Sequence, residues 1–169
     1  EDMRSYTEFT QESRHTEVVA ELIRCAPDMV QAGFADARKS LEGIVVELDV
    51  SPELSLPAAR KPLVMALRNF IKTAHEAILE DDSRKGKGTI RISARRDGDC
   101  HEIRIADDGM GLSEEELVNV RKFIPGNSSK NNGTGYGLPI AQRYVTFHGG
   151  TLTIESTDGI GTTVVLRLP

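Results

Sequence analysis

The residues best suited to chemistry begin with Asp107-Asp108-Gly109-Met110-Gly111, where two carboxylates meet two glycines at the end of an apolar run. A carboxylate accepts hydrogen bonds, and the amino group of an adenine ring donates them. Glycines at 109 and 111 remove side chains from the adjoining backbone, which lets a flat ring lie close. A plain strand-to-helix turn accounts for the same five residues. A second cluster, NNGTGYGLPIA from Asn131 to Ala141, sets glycines at 133, 135 and 137 directly before a predicted helix. Exposed N–H groups at a helix start bind phosphate oxygens; a loop or hinge is the equal alternative. The cluster is not a P-loop, because no Lys-Ser/Thr follows its last glycine. It is not a dinucleotide fingerprint either, because its spacing differs and no strand leads straight into it. The third stretch, LRNFIKTAHEA from Leu67 to Ala77, places Asn69, Thr73 and Glu76 four and three residues apart on one side of an otherwise apolar helix. Polar groups so spaced reach a metal or a phosphate, or form a solvated helix edge.

These stretches need elements to hold them. Residues 1–15 are polar and helix-compatible. Glu17-Val18-Val19 reads as a short strand, and a helix is predicted from about Ala20 to Leu41, weakened by Pro27 and Gly33. IVVELDV, Ile44 to Val50, is rich in β-branched residues and reads as a strand; SPELSLP reads as a loop. Pro62 stands where a helix favours its first residue. Leu63, Leu67, Phe70, Ile71, Ala74 and Ile78 then recur at helical spacing. TIRISARR and HEIRIAD alternate apolar with polar around Asp97-Gly98, a hairpin signal. Ser113 and Glu116 form a predicted capping box. From Arg121 to Gly137 the chain is polar and glycine-rich without periodicity. Pro139 opens another predicted helix, with Ile140, Tyr144 and Phe147 as its stripe and Gly149-Gly150 as its stop. TLTIES and TTVVLRLP close the chain as a hairpin around Asp158-Gly159. The order predicts an α+β, two-layer sandwich: a mixed sheet with helices packed on one face.

The bulk numbers bound the rest. With 169 residues, 38% hydrophobic, the chain can build one core, and a net charge of −5 argues against a module devoted to nucleic acid. No apolar run approaches the ~18–20 residues of a membrane span, and the polar start EDMRSYTEFTQESR is no signal peptide. The chain starts without Met, so it is expected to be a piece of a longer protein. Cys25 and Cys100 have no metal or redox spacing and read as reduced thiols.

Taken together, in this order, the three stretches resemble the ATP-binding catalytic domain of sensor histidine kinases, within the Bergerat or GHKL superfamily. LRNFIKTAHEA looks like the asparagine box, DDGMG like the first glycine box and GTGYGL like the second. GIGTTVVLRLP, with Gly159, Gly161 and Thr162, resembles the usual end of such a kinase, and IVVELDVSPELSLPAARKPLVMAL resembles its lead-in. The likeness covers residues 16–169. It implies a Bergerat fold with a mobile ATP lid over Phe123 to Asn132, with residues 1–15 the remnant of a phosphoacceptor helical hairpin.

The resemblance also implies roles. Asp107 would bond the adenine amino group, with Gly109 and Gly111 admitting the ring and Thr162 nearby. Lys130, in PGNSSK, would touch the terminal phosphate. Gly133, Thr134, Gly135 and Gly137 would offer backbone donors to the phosphates, with Leu138 opening the next helix. Asn69 and Thr73 would serve ATP and its Mg²⁺, and Asn69 and Lys130 would be catalytic. One departure stands out: the family's second asparagine is Thr73 here, whose hydroxyl is shorter than an amide. His75-Glu76 imitates a phosphoacceptor dipeptide inside the asparagine-box helix, His15 lacks the pattern, and His101 and His148 look ordinary. The acceptor is therefore expected upstream. The implied function is transfer of the ATP γ-phosphoryl to a histidine on a separate hairpin. A response regulator, a homodimeric parent and a cytoplasmic location follow, even if that parent is membrane-anchored. No nucleic-acid partner and no membrane contact by this chain are expected. The alternatives are a nucleotide-binding regulatory module with weakened or lost kinase activity, favoured by Thr73, and an anti-sigma-factor type serine kinase.

Overall fold

The structure, a computed structural model, describes residues 13–33, 43–126 and 137–169. Its elements run β1 (His15–Val18), α1 (Val19–Gly33), β2 (Ile44–Val50), β3 (Ser55–Ala58), α2 (Arg60–Leu79), a 3-10 turn (Asp82–Arg84), β4 (Gly88–Asp97), β5 (Cys100–Asp107), α3 (Glu114–Val120), α4 (Gly137–Phe147), β6 (Thr151–Thr157) and β7 (Gly161–Leu168). The main sheet has the order β2-β4-β5-β7-β6, and β1 and β3 form a separate pair. β2 runs parallel to β4 while the other neighbours are antiparallel, so the sheet is mixed.

Alternation decides which face is dry. Ile90 and Ile92, Ile103 and Ile105, Val164 and Leu166, and Ile154 are all buried. They line one side, and the cross-strand register aligns them in rows. α2 packs against β4, β5 and β7, and α1 and α4 pack against α2. α2 buries Leu63, Leu67, Phe70, Ile71, Ala74 and Ile78, α1 adds Leu22, Ile23 and Ala26, and α4 adds Ala141, Tyr144 and Val145. The result is an open, two-layer α+β sandwich, as the alternation and helical spacing implied. The opposite face carries ion pairs: Arg91 with Glu47, Arg167 with Asp97, and both Arg95 and Arg104 on the buried carboxylate of Glu102.

Local differences have local causes. SPELSLP is not wholly a loop, because Ser55–Ala58 pairs antiparallel with β1, His15 opposite Ala58. Leu56 and Ala58 face inward and Pro57 outward, on a strand short enough to tolerate a residue with no N–H. α2 starts at Arg60 and α4 at Gly137, each two residues before the proline expected to open it. The first-turn N–H groups of a helix lack intrahelical partners, so proline fits anywhere in that turn. α1 runs through Pro27 to Gly33, and the predicted extension to Leu41 lies outside the described residues. The hairpin remnant expected over 1–15 lies outside them up to residue 12, and His15 is already the first residue of β1. In α4 the buried stripe is Ala141, Tyr144 and Val145, with Ile140 and Phe147 half-buried.

His148, read as ordinary, is a structural tie. Its ring is buried, Nε2 accepts a hydrogen bond from the Ala59 N–H at 3.0 Å, and Nδ1 lies 2.7 Å from the Tyr144 carbonyl. The end of α4 is thereby fastened to the start of α2. Replacing His148 with Phe keeps the ring but orphans the Ala59 N–H, so stability is expected to fall by about 2 kcal/mol; urea denaturation measures this directly.

Candidate nucleotide site

β5 delivers Asp107 to the rim of the sheet. The register places Ile90, Asp107, Thr162 and Ser156 side by side across β4, β5, β7 and β6. The row just inside it is Ile92, Ile105, Val164 and Ile154, all buried. Asp107, Thr162 and Ser156 therefore sit on the helix-facing side, where the apolar core gives way to polar groups. Asp107 Oδ1 accepts the Gly109 N–H at 2.9 Å, which fixes the carboxylate in an Asx-type turn. Ser156 ties the neighbourhood together. Its hydroxyl accepts the Leu112 N–H at 2.9 Å, lies 2.7 Å from Thr162 Oγ1, and donates to the Gly161 carbonyl at 3.1 Å. The sequence reading missed Ser156. Its signal was the alternation of TLTIES, which puts residue 156 on the side of Leu152 and Ile154.

The two glycines of DDGMG, expected to admit a ring, are each packed against main chain. A Cβ on Gly109 would lie 2.6 Å from the Ala77 carbonyl carbon and oxygen of α2. One on Gly111, whose φ is +69°, would lie 2.0 Å from the Thr157 carbonyl oxygen. The space beside each is filled by the protein's own main chain. Met110 N–H donates to Ala77 at 3.1 Å, and Gly159 N–H donates to Met110 at 2.7 Å. The loop is thus stitched to α2 on one side and to the β6–β7 turn on the other. α3 follows with the expected capping box, Ser113 and Glu116 each bonding the other's backbone N–H.

α2 links this end of the site to the next. Asn69, Thr73 and Glu76 are all partly buried along it. The side chain that Gly137 lacks would point to within 3.9 Å of Asn69 Oδ1, so the start of α4 faces the asparagine. From Asn69 to Ala77, where the Asp107 loop is stitched on, the helix rises eight residue steps, about 12 Å at ~1.5 Å per residue. Thr73 stands midway. The first turn of α4 offers the N–H groups of Gly137, Leu138 and Ile140, whereas Pro139 has none. Leu138 is half-buried against the core. Lys130, Gly133, Thr134 and Gly135 lie outside the described residues, as does most of the predicted lid; Phe123, at its start, has φ of +49°.

A carboxamide and a hydroxyl one helical turn apart are hard oxygen donors of the kind Mg²⁺ takes alongside waters and phosphates, so Asn69 and Thr73 suit that ion. Among the described residues no group of three His, Cys, Asp or Glu forms a metal cluster, and no helix is long and apolar enough to cross a membrane. A cleft of about 400 Å³ on the other face of the sheet, between Asp49, Ser93, Arg95, Glu102 and Arg104, belongs to the ion-paired face described above.

Comparisons with known proteins bear on the family and the fold. The family described as histidine kinase-, DNA gyrase B-, and HSP90-like ATPase matches residues 58–169. Sporulation kinase B of Bacillus subtilis (strain 168) is 34% identical over 128 residues, covering 76% of this chain and 28% of that protein. Histidine protein kinase DivJ of Caulobacter vibrioides is 31% identical over 157 residues, covering 83% and 25%. The chain thus spans about a quarter of the length of such relatives. Among solved structures, the mycobacterial sensor histidine kinase MprB has a TM-score of 0.73 at 24% identity, over 92% of this chain and 97% of that one. Full-length ShkA in complex with AMPPNP has a TM-score of 0.74 at 22% identity, over 94% and 31%. Those two likenesses speak for the fold, and the family match over most of the chain for descent: the chain belongs to the histidine kinase-, DNA gyrase B- and HSP90-like ATPase family.

Proposed function

We propose that this chain is the ATP-binding catalytic domain of a two-component sensor histidine kinase. The observation that carries the reading is α2 as a ruler. One end holds a fixed carboxylate at the rim of the sheet, the other holds Asn69 against the first turn of α4, and the span suits an extended nucleoside triphosphate. Asp107 would accept from the adenine amino group, with Thr162 beside it. The N–H groups of Gly137 and Leu138, with Gly133, Thr134 and Gly135 before them, would hold phosphate oxygens at the helix start. Lys130 would meet the terminal phosphate. Asn69 and Thr73 would hold Mg²⁺, which when bound supplies positive charge against the transferring phosphoryl. The work of the chain is then positioning and charge stabilisation. The acceptor would be a histidine on a helical hairpin of the same, dimeric, cytoplasm-facing protein, and a response regulator the next carrier. The names of the relatives, sporulation kinase and histidine protein kinase among them, support this over a serine kinase.

Calorimetric titration with ATP, with and without Mg²⁺, tests the site: saturable binding at one site is expected, and no binding in either condition would overturn the reading. Thr73→Asn extends the ligand by one amide, and a several-fold tighter Mg²⁺-dependent ATP affinity is expected. An unchanged metal dependence would remove Thr73 from the metal shell. Thr73 also favours a second reading, a nucleotide-binding module with weakened phosphotransfer. Labelled ATP incubated with the chain and a separately supplied hairpin decides between them, since label on histidine supports the kinase.

A further inference from the structure

The second carboxylate of DDGMG has no part in the proposed site, and its surroundings show another use. Asp108 Oδ1 accepts the Thr89 N–H at 2.8 Å, while the Asp108 N–H donates to the Thr89 carbonyl at 3.3 Å. The carboxylate thus stands in for a main-chain carbonyl and extends the β4–β5 ladder one rung past Asp107, whose own partner is Ile90. Gly88 makes room for it, since a Cβ there would lie 2.7 Å from Asp108 Oδ1. The other oxygen, Oδ2, takes Arg84 at 3.0 Å. Arg84 is itself held at the end of the 3-10 turn by Asp81, 3.5 Å from its Nε. Asp81 also accepts from the hydroxyl and N–H of Ser83, and the hydroxyl bond above all, with the N–H and Arg84, holds its carboxyl below the usual range.

We infer that Arg84 is a positioning residue for the nucleotide site: by clamping Asp108 it fixes the turn that aims the Asp107 carboxylate. This rests on the assignment of Asp107 to adenine. Two adjacent carboxylates repel, and an uncompensated Asp108 would pull the turn toward water. Arg84 neutralises the residue that is not meant for the ligand and leaves the other one with a defined direction. The pair is about one-third exposed on both sides, so it adds little to global stability. Its effect falls on aim, and recognition of one purine edge depends on aim.

The test uses the whole 169-residue chain, with ADP and GDP as probes in calorimetry. Arg84→Met is expected to weaken ADP binding about three- to fivefold, the scale of a partly exposed ion pair, and to shrink the ADP-over-GDP preference by a similar factor. Arg84→Lys should recover part of both. The thermal midpoint should move by only a few degrees. Equal loss for ADP and GDP, or no loss for either, would overturn the role of Arg84 while the nucleotide site stands. A wild-type chain that binds no ADP would overturn the site and this inference together.

Discussion

Replacing Asp107 with Asn should raise the dissociation constant for ADP by about 30- to 100-fold, the equivalent of ~2–3 kcal/mol, with little change in thermal stability. The carboxylate is an acceptor on both oxygens, and Oδ1 already takes the Gly109 N–H. In the variant the amide oxygen keeps that bond, because losing it would release the turn. The amide NH₂ then occupies the place of Oδ2 and presents a donor to a ligand group that is itself a donor. Two donors facing each other at a partly buried rim lose the bond and leave both groups poorly solvated. Stability hardly changes, because Asn satisfies the same Asx-type turn and sits at the sheet's edge rather than in its core. Calorimetric titration with ADP measures the affinity and differential scanning calorimetry checks the fold. Wild-type affinity in the Asn variant would take Asp107 out of the adenine contact.

The second large effect belongs to Gly111→Ala, and it separates two accounts of the same glycine. If Gly111 serves chiefly to admit a ligand ring, alanine weakens nucleotide binding and leaves stability alone. The structure assigns it a different burden: positive φ of +69°, with the Thr157 carbonyl oxygen 2.0 Å from where the methyl would be. The left-handed conformation costs about 1–2 kcal/mol for an L-residue, and forcing apart two main-chain segments adds about 1–3 kcal/mol. Together these approach half of a typical domain stability of ~5–15 kcal/mol, so the thermal midpoint should fall by about 10 °C. Gly98, in the β4–β5 turn, is the internal control: its φ is +63° with nothing within 4 Å of its missing Cβ. Gly98→Ala should bear only the dihedral cost, about 1 kcal/mol. Equal midpoints for the two variants would show that the contact with Thr157 relaxes freely.

That contrast marks where reading the chain as a string succeeds. The elements were legible because their signals are periodic and local. Leu63 to Ile78 recurs at helical spacing, and β4, β5, β6 and β7 alternate around Asp97-Gly98 and Asp158-Gly159. The polar stripe of Asn69, Thr73 and Glu76 was legible for the same reason, since a helix turns spacing into a shared face. β3 was not, since four residues with a proline carry too little pattern. Nor was the function of His148, whose partners Ala59 and Tyr144 meet only when α4 lies against α2.

By itself, then, the chain's order of residues determined its layers, its family and the position of the Asp107 carboxylate at a strand end. Periodicity and turn chemistry act over a few neighbouring residues. Only the tertiary structure decided what fills the space beside the glycines of DDGMG, that Asp108 pairs with Arg84, and that Ser156, Thr162 and Asp107 share one row. Those outcomes depend on register and on main chain touching main chain between segments far apart in sequence. No local pattern encodes which backbone will fill the space beside a missing side chain.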